Sequence, residues 1–92
     1  MTTLVKILDS LEFTAARAER KALGCTVKDI QNMFRNDAKD VRKIAKLVKA
    51  GEWKKAKREM LDMDTAARDE ISNFAYNYIC DKGLRHDSSK NS

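Results

Sequence analysis

Apolar residues recur along this chain at intervals of three and four, the period of one helix face. Leu4, Leu8, Leu11, Ala15, Ala18 and Ala22 form the first stripe and predict a helix over about residues 3–22. Asp9-Ser-Leu-Glu12 has capping-box spacing, but the stripe runs through it and favours one helix. Val27, Ile30, Met33 and Phe34 make the buried face of the next segment, with Thr26 as its N-cap. Val41, Ile44, Ala45 and Val48 continue to Gly51. Asn36-Asp37 offers a second cap, so residues 26–50 read as one kinked helix or as two. Trp53, Ala56 and Met60 mark a helix from Glu52. Asp62-Met-Asp-Thr65 stops it, and Ala67, Ile71, Phe74 and Tyr78 carry a last helix to about Lys82. The glycines at 24, 51 and 83 each follow a stripe, where a left-handed residue commonly ends a helix. The expected fold is therefore all-α, a compact bundle of four to five helices. Residues 1–84 form one helical domain, and 85–92 form a short frayed, flexible polar tail.

Composition supports the same class. Proline is absent and only three glycines occur in 92 residues, whereas a β protein needs turn residues at every reversal. A chain of this length holds one modest core, and oligomerisation is a common remedy. The Leu4 to Ala22 stripe is one surface through which the chain could join a copy of itself as a structural subunit. Two cysteines, Cys25 and Cys80, and one histidine, His86, fall short of the four close ligands of structural zinc. No metal and no cofactor are expected. No secretory signal or membrane-length apolar run is present, so the expected location is cytoplasmic, with free thiols.

Charge alters the picture more. The net charge is +5, but it is unevenly placed. Residues 39–58 hold Lys39, Arg42, Lys43, Lys46, Lys49, Lys54, Lys55, Lys57 and Arg58 against only Asp40 and Glu52, a local +7, and the rest of the chain sums to −2. Lys39, Arg42, Lys43, Lys46 and Lys49 lie opposite the Val41/Ile44/Val48 stripe, and the next helix adds Lys54, Lys55 and Arg58. Such a ridge suits the phosphates of nucleic acid. An acidic protein surface is served equally well, and the plain alternative is a solvated face, although those usually mix signs. A membrane surface fits less well, because the apolar stripe is needed for the core. Trp53 alone among the aromatics interleaves with the cations, and core packing suits it better than base stacking. Tyr76 and Tyr78 belong to the last helix.

Residues 22–34, ALGCTVKDIQNMF, resemble the turn and second helix of helix-turn-helix DNA-binding proteins through Leu23, Gly24, Cys25, Thr26, Ile30 and Met33. The resemblance implies Gly24 in the turn, Cys25 in the small slot after it, Thr26 opening a recognition helix, and Ile30 and Met33 anchoring that helix to the core. It also implies that Lys28, Gln31, Asn32 and Arg35 face outward, where Arg and Lys suit guanine and Asn and Gln suit adenine. Upstream the pattern departs from the family. Glu19 and Arg20 stand where an apolar residue and alanine are usual, and the alanines fall at 18 and 22. Separately, the stretch from Lys49 to Ile71 is similar to one helix hairpin of a tetratricopeptide-like repeat. One unit is too few for a solenoid, and it reads as an ordinary hairpin.

Catalysis is not expected. Isolated Gly24, Gly51 and Gly83 cannot cradle a phosphate, and His86 has no assured partner. Asp62/Asp64 and Asp69/Glu70 are ordinary near helix starts, and Cys25 reads as an inert thiol. The sequence thus points to a small non-enzymatic binding protein. Its partner is nucleic acid, with DNA favoured over RNA. The alternative is a regulator or inhibitor of the phage or mobile-element accessory type, docking on an acidic protein surface.

Overall fold

The computed structural model describes residues 2–91, with side chains through Leu84. Five helices follow in order: α1 (Thr3–Leu23), α2 (Lys28–Lys49), α3 (Trp53–Asp62), α4 (Thr65–Arg68) and α5 (Asn73–Asn91), with no strand among the described residues. The side chains of the expected tail, residues 85–92 including His86, lie outside the described set.

α1 is one helix, as its unbroken stripe predicts. Thr2 caps it, its Oγ1 accepting from the Val5 N–H at 3.2 Å. α1 ends at Gly24 without a left-handed residue, since Gly24 has φ −84° and sits in the right-handed region. Thr26 does not cap the next helix. Val27 holds the N-cap position with no side-chain hydrogen bond. α2 then runs uninterrupted, which resolves residues 26–50 in favour of one helix. Its end is where glycine is needed. Gly51 has φ +77°, and the Gly51 and Glu52 amides donate to Val48 and Leu47 carbonyls at 3.0 and 2.9 Å. That is the Schellman arrangement, which satisfies carbonyls the helix leaves open.

α1 and α2 form a long antiparallel hairpin, with Glu12 and Glu19 beside Arg42 and Ala22 beside Gln31. α3, α4 and the start of α5 cover one end of its inner face. The core comprises Ile7, Leu11 and Ala15 from α1, Ala38, Val41, Ile44 and Val48 from α2, Ala56 and Met60 from α3, then Met63, Ala67, Ile71, Ala75 and Ile79. Thr14 fastens α1 to the α4–α5 connection, its hydroxyl lying 3.0 Å from the Ser10 carbonyl and 3.4 Å from that of Glu70. Ser72 caps α5, accepting from the Ala75 N–H at 3.3 Å.

Several expectations shift phase or extent. In α1 the deepest positions are Ile7 and Leu11, and Leu4 is exposed. Leu11, Ala15 and Ala22 are spent on the chain's own core, so the residue 4–22 stripe is not a free assembly surface. In the last helix Ala75 and Ile79 are buried, with Phe74 exposed and Tyr78 only half-buried. The expected single helix over 67–82 breaks at Asp69–Ser72, where Ser72 starts α5 afresh. Gly83 is not a terminus. It lies buried inside α5 against Lys57, and a Cβ there would stand 2.7 Å from Lys57 Cδ and 3.0 Å from its Cβ. The glycine permits close approach of α5 to α3. Val27, Ile30 and Met33, expected in the core, are exposed. Met33 borders a cleft that it shares with Ala66 and Ala67 of α4 but is not closed over by them, and Val27 and Ile30 do not line it.

Candidate nucleic-acid interface

Because α2 is one helix, positions separated by four and three residues over its whole length share a face. Lys28, Asn32, Arg35, Lys39, Arg42, Lys46 and Lys49 have these spacings without a break. The row combines the outward residues of the 26–35 segment with the ridge read from residues 39–49. At 1.5 Å per residue it extends for about 31 Å. All its members are exposed except Arg42, which is half-buried.

Arg42 occupies the middle of this row and is already engaged. Its Nη2 donates to Glu12 Oε1 at 2.9 Å and to Glu19 Oε1 at 2.8 Å, and its Nη1 lies 2.8 Å from Glu19 Oε2. One guanidinium thus grips two carboxylates of α1. The hydrogen bond from Arg42 holds the Glu19 carboxyl below its ordinary pKa, and the two glutamates together raise that of Arg42. This clamp divides the outer surface between α1 and α2 into two shallow grooves. One is lined by Glu19, Leu23, Arg35, Ala38 and Lys39, the other by Leu8, Asp9, Glu12, Ala45, Lys46 and Lys49, and Arg42 borders both. Among the described residues, no hydrogen bond or ion pair engages Lys28, Arg35, Lys39, Lys46 or Lys49.

The other candidates divide. Gln31 is half-buried and turns back to α1, where its Nε2 donates to the Ala22 carbonyl at 3.1 Å. It serves as a side-chain cap for α1 and is not open for base reading. Lys43 leaves the row toward α3 and pairs with Glu59 at 3.1 Å. Lys55 pairs with Glu52 at 3.2 Å. Lys54, Lys57 and Arg58 line a separate shallow groove on α3 with Leu61 and Asp62. Trp53 packs on Tyr78, ring centroids 5.6 Å apart, with the Lys82 ammonium 5.9 Å from one ring and 5.8 Å from the other. Trp53 is half-buried in these contacts.

On the other side of the hairpin, Thr14, Arg17, Ala18 and Lys21 of α1 face Met33, Phe34 and Asp37 of α2 across a cleft closed by Asp64, Ala66, Ala67 and Glu70. Lys21 reaches Glu70 at 2.8 Å, with Arg17 at 3.8 Å, and the Lys21 hydrogen bond holds the Glu70 carboxyl below its usual range. Lys21 also lies 5.8 Å above the Phe34 ring. Burial pushes the Asp37 carboxyl up, aided by repulsion from Asp40 and Asp64 and opposed by Lys21. No local sequence signal joins residues 17 and 21 to residue 70, so this cleft was invisible in the pattern.

Among the described residues, no three Cys, His, Asp or Glu side chains converge as a metal site, and Cys25 and Cys80 are free thiols. Among the described residues, no helix is long and apolar enough to cross a membrane. Neither family models, curated proteins nor solved structures yield a match to the chain.

Proposed function

We propose that the protein binds nucleic acid without catalysis, through phosphate contacts along α2. The observation that carries this reading is the row of five unengaged cations, Lys28, Arg35, Lys39, Lys46 and Lys49, on one face of a continuous helix. Its length of about 31 Å is close to one turn of duplex DNA, roughly 34–36 Å. Asn32 and Arg35 supply the groups for any base-edge contact, and DNA is favoured over RNA. Lys54, Lys55 and Arg58 on α3 contribute a second, diffuse positive region. Binding of labelled DNA and RNA at low ionic strength tests the proposal. Absence of measurable binding there ends it, because phosphate contacts strengthen as salt falls.

A second reading is docking on an acidic protein, as a regulator or inhibitor would. Leu23, 78% exposed, lies beside Arg35 and Lys39 in one outer groove, and Leu8 lies beside Lys46 in the other. This alternation of apolar and cationic groups suits an acidic amphipathic segment. A stoichiometric protein partner captured from nuclease-treated lysate favours this reading over the first.

A further inference from the structure

The cationic row of α2 is a strip one helix wide, with carboxylates along both edges. On the α1 side, the two shallow grooves are lined from α1 by Leu8, Asp9, Glu12, Glu19, Ala22 and Leu23, acidic and apolar groups without a cation. On the other side, Asp29, Asn36 and Lys43 recur at intervals of seven, with Asp40 beside them, all exposed. Lys43 is the one α2 cation outside the row, and it is paired with Glu59 of α3 at 3.1 Å.

These edges argue against a seat inside the major groove. The groove is about 12 Å wide and a helix with its side chains about 10–12 Å across, so an inserted helix has a phosphate strand along each flank. Inserted in that way, α2 would bring Glu12 and Glu19 toward one strand and Asp29 and Asp40 toward the other. Bulk opposes it as well. α1 stands beside α2 along the row, since Arg42 of the row reaches both Glu12 and Glu19. At the usual axis separation of about 8–10 Å, the pair is roughly 20 Å broad and does not fit the groove.

The row also has a break at its middle. Arg42 is held by its clamp, which leaves Lys28, Arg35 and Lys39 on one side of it and Lys46 and Lys49 on the other. Lys39 and Lys46 are seven residues apart, about 10.5 Å along the helix and close to the groove width of about 12 Å. Given the nucleic-acid reading above, on which this rests, we propose that α2 bridges the major groove of duplex DNA from outside. Each group of cations lies on the phosphates of one bordering strand, and binding is indifferent to base sequence. Arg42 then lies over the open groove with its guanidinium turned to α1, and Gln31 is spent on the Ala22 carbonyl. Asn32 and Arg35 fall within the first group and meet backbone in place of base edges.

Binding of the full chain to three labelled duplexes at about 50 mM salt tests this. The first is a random-sequence pool, and the second is that pool after repeated selection for bound members. The third carries a bulky sugar at C5 of its cytosines, which fills the major groove and leaves the phosphates open. All three are expected to bind within about fivefold of one another, because phosphate contacts carry no sequence information. Asn32→Ala, at an exposed site and checked for helicity by circular dichroism, should change none of them by more than about twofold. Lys39→Gln with Lys46→Gln should weaken all three alike. A selected pool that binds more than about fivefold tighter than the random one, or a loss beyond that on the groove-filled duplex or on Asn32→Ala, overturns the bridging and leaves nucleic-acid binding standing. Absence of binding to all three overturns both.

Discussion

Gly83→Ala sets two effects of opposite sign against each other, and the geometry decides between them. In an open helix, alanine in place of glycine gains about 1 kcal/mol from propensity. At Gly83 the added methyl would lie 2.7 Å from Lys57 Cδ, 3.0 Å from Cβ and 3.4 Å from Cγ. The Cδ contact is released when the lysine side chain changes rotamer. The Cβ contact is not, because both carbons are fixed by their helices. Separating them to an ordinary distance moves α5 off α3 by several tenths of an ångström. Ala56, Met60, Ala75 and Ile79 are all fully buried nearby in sequence along these two helices. Overpacking of this kind costs roughly 1–3 kcal/mol. The net expectation is a loss of about 1 kcal/mol, or about 4–8 °C in Tm for a domain of this size. Urea and thermal unfolding of the wild type and variant measure it, and Gly83→Ala combined with Lys57→Gly should recover most of the loss attributable to the contact. A variant more stable than wild type by about 1 kcal/mol would refute the close α3–α5 approach and restore Gly83 to an ordinary helix glycine.

Arg42→Gln should lower stability by about 1 kcal/mol, since two exposed-to-half-buried ion pairs and some stem packing are lost. Being already engaged, Arg42 should contribute little to the salt dependence of nucleic-acid binding, and paired unfolding and binding titrations separate the two roles. Asp37→Asn should stabilise the protein at neutral pH by about 0.2–0.5 kcal/mol, the scale of one like-charge pair three residues apart on a helix, as read by urea midpoint. The pH dependence follows from opposite shifts. Glu19 and Glu70 have folded pKa values below their unfolded ones, so their stabilisation is present above the unfolded value and lost as pH falls through the folded one. Asp37 is raised, so its charge weighs against folding above its folded pKa and ceases to matter below its unfolded one. Acid unfolding of Arg42→Gln should therefore show a smaller loss between neutral and low pH than wild type.

The all-α class, the single helix α1 and the turn at Gly51 were legible because each rests on local physics: propensity, period and a left-handed glycine. Burial depth was less so. Periodicity tells which side of a helix faces inward, but not how far along the helix a covering layer extends. For that reason Ile30 and Met33 read as core and are exposed. Leu4 begins the α1 stripe and is exposed, whereas Ile7 beside the stripe is buried, a choice that period alone does not make. Gly83 looked like a stop because its partner, Lys57, is distant in sequence. At the candidate site, the cations were visible as composition. Their division into a free row, the Arg42 clamp and the Lys43–Glu59 and Lys55–Glu52 pairs depends on α1 and α3 neighbours. Gln31 could not be assigned to capping α1 without knowing where α1 ends.

The central claim is that the α2 row neutralises phosphates, and the salt slope of duplex binding tests it most directly. With five cations engaged, log Kobs against log salt should fall with a slope of about −4.5, roughly a 500-fold loss between 50 and 200 mM. Lys39→Gln with Lys46→Gln should make that slope shallower by about 2, whereas Lys54→Gln with Lys55→Gln on α3 should change it less. A slope that the Lys39/Lys46 pair leaves unaltered, or no binding at 50 mM salt, would contradict the account.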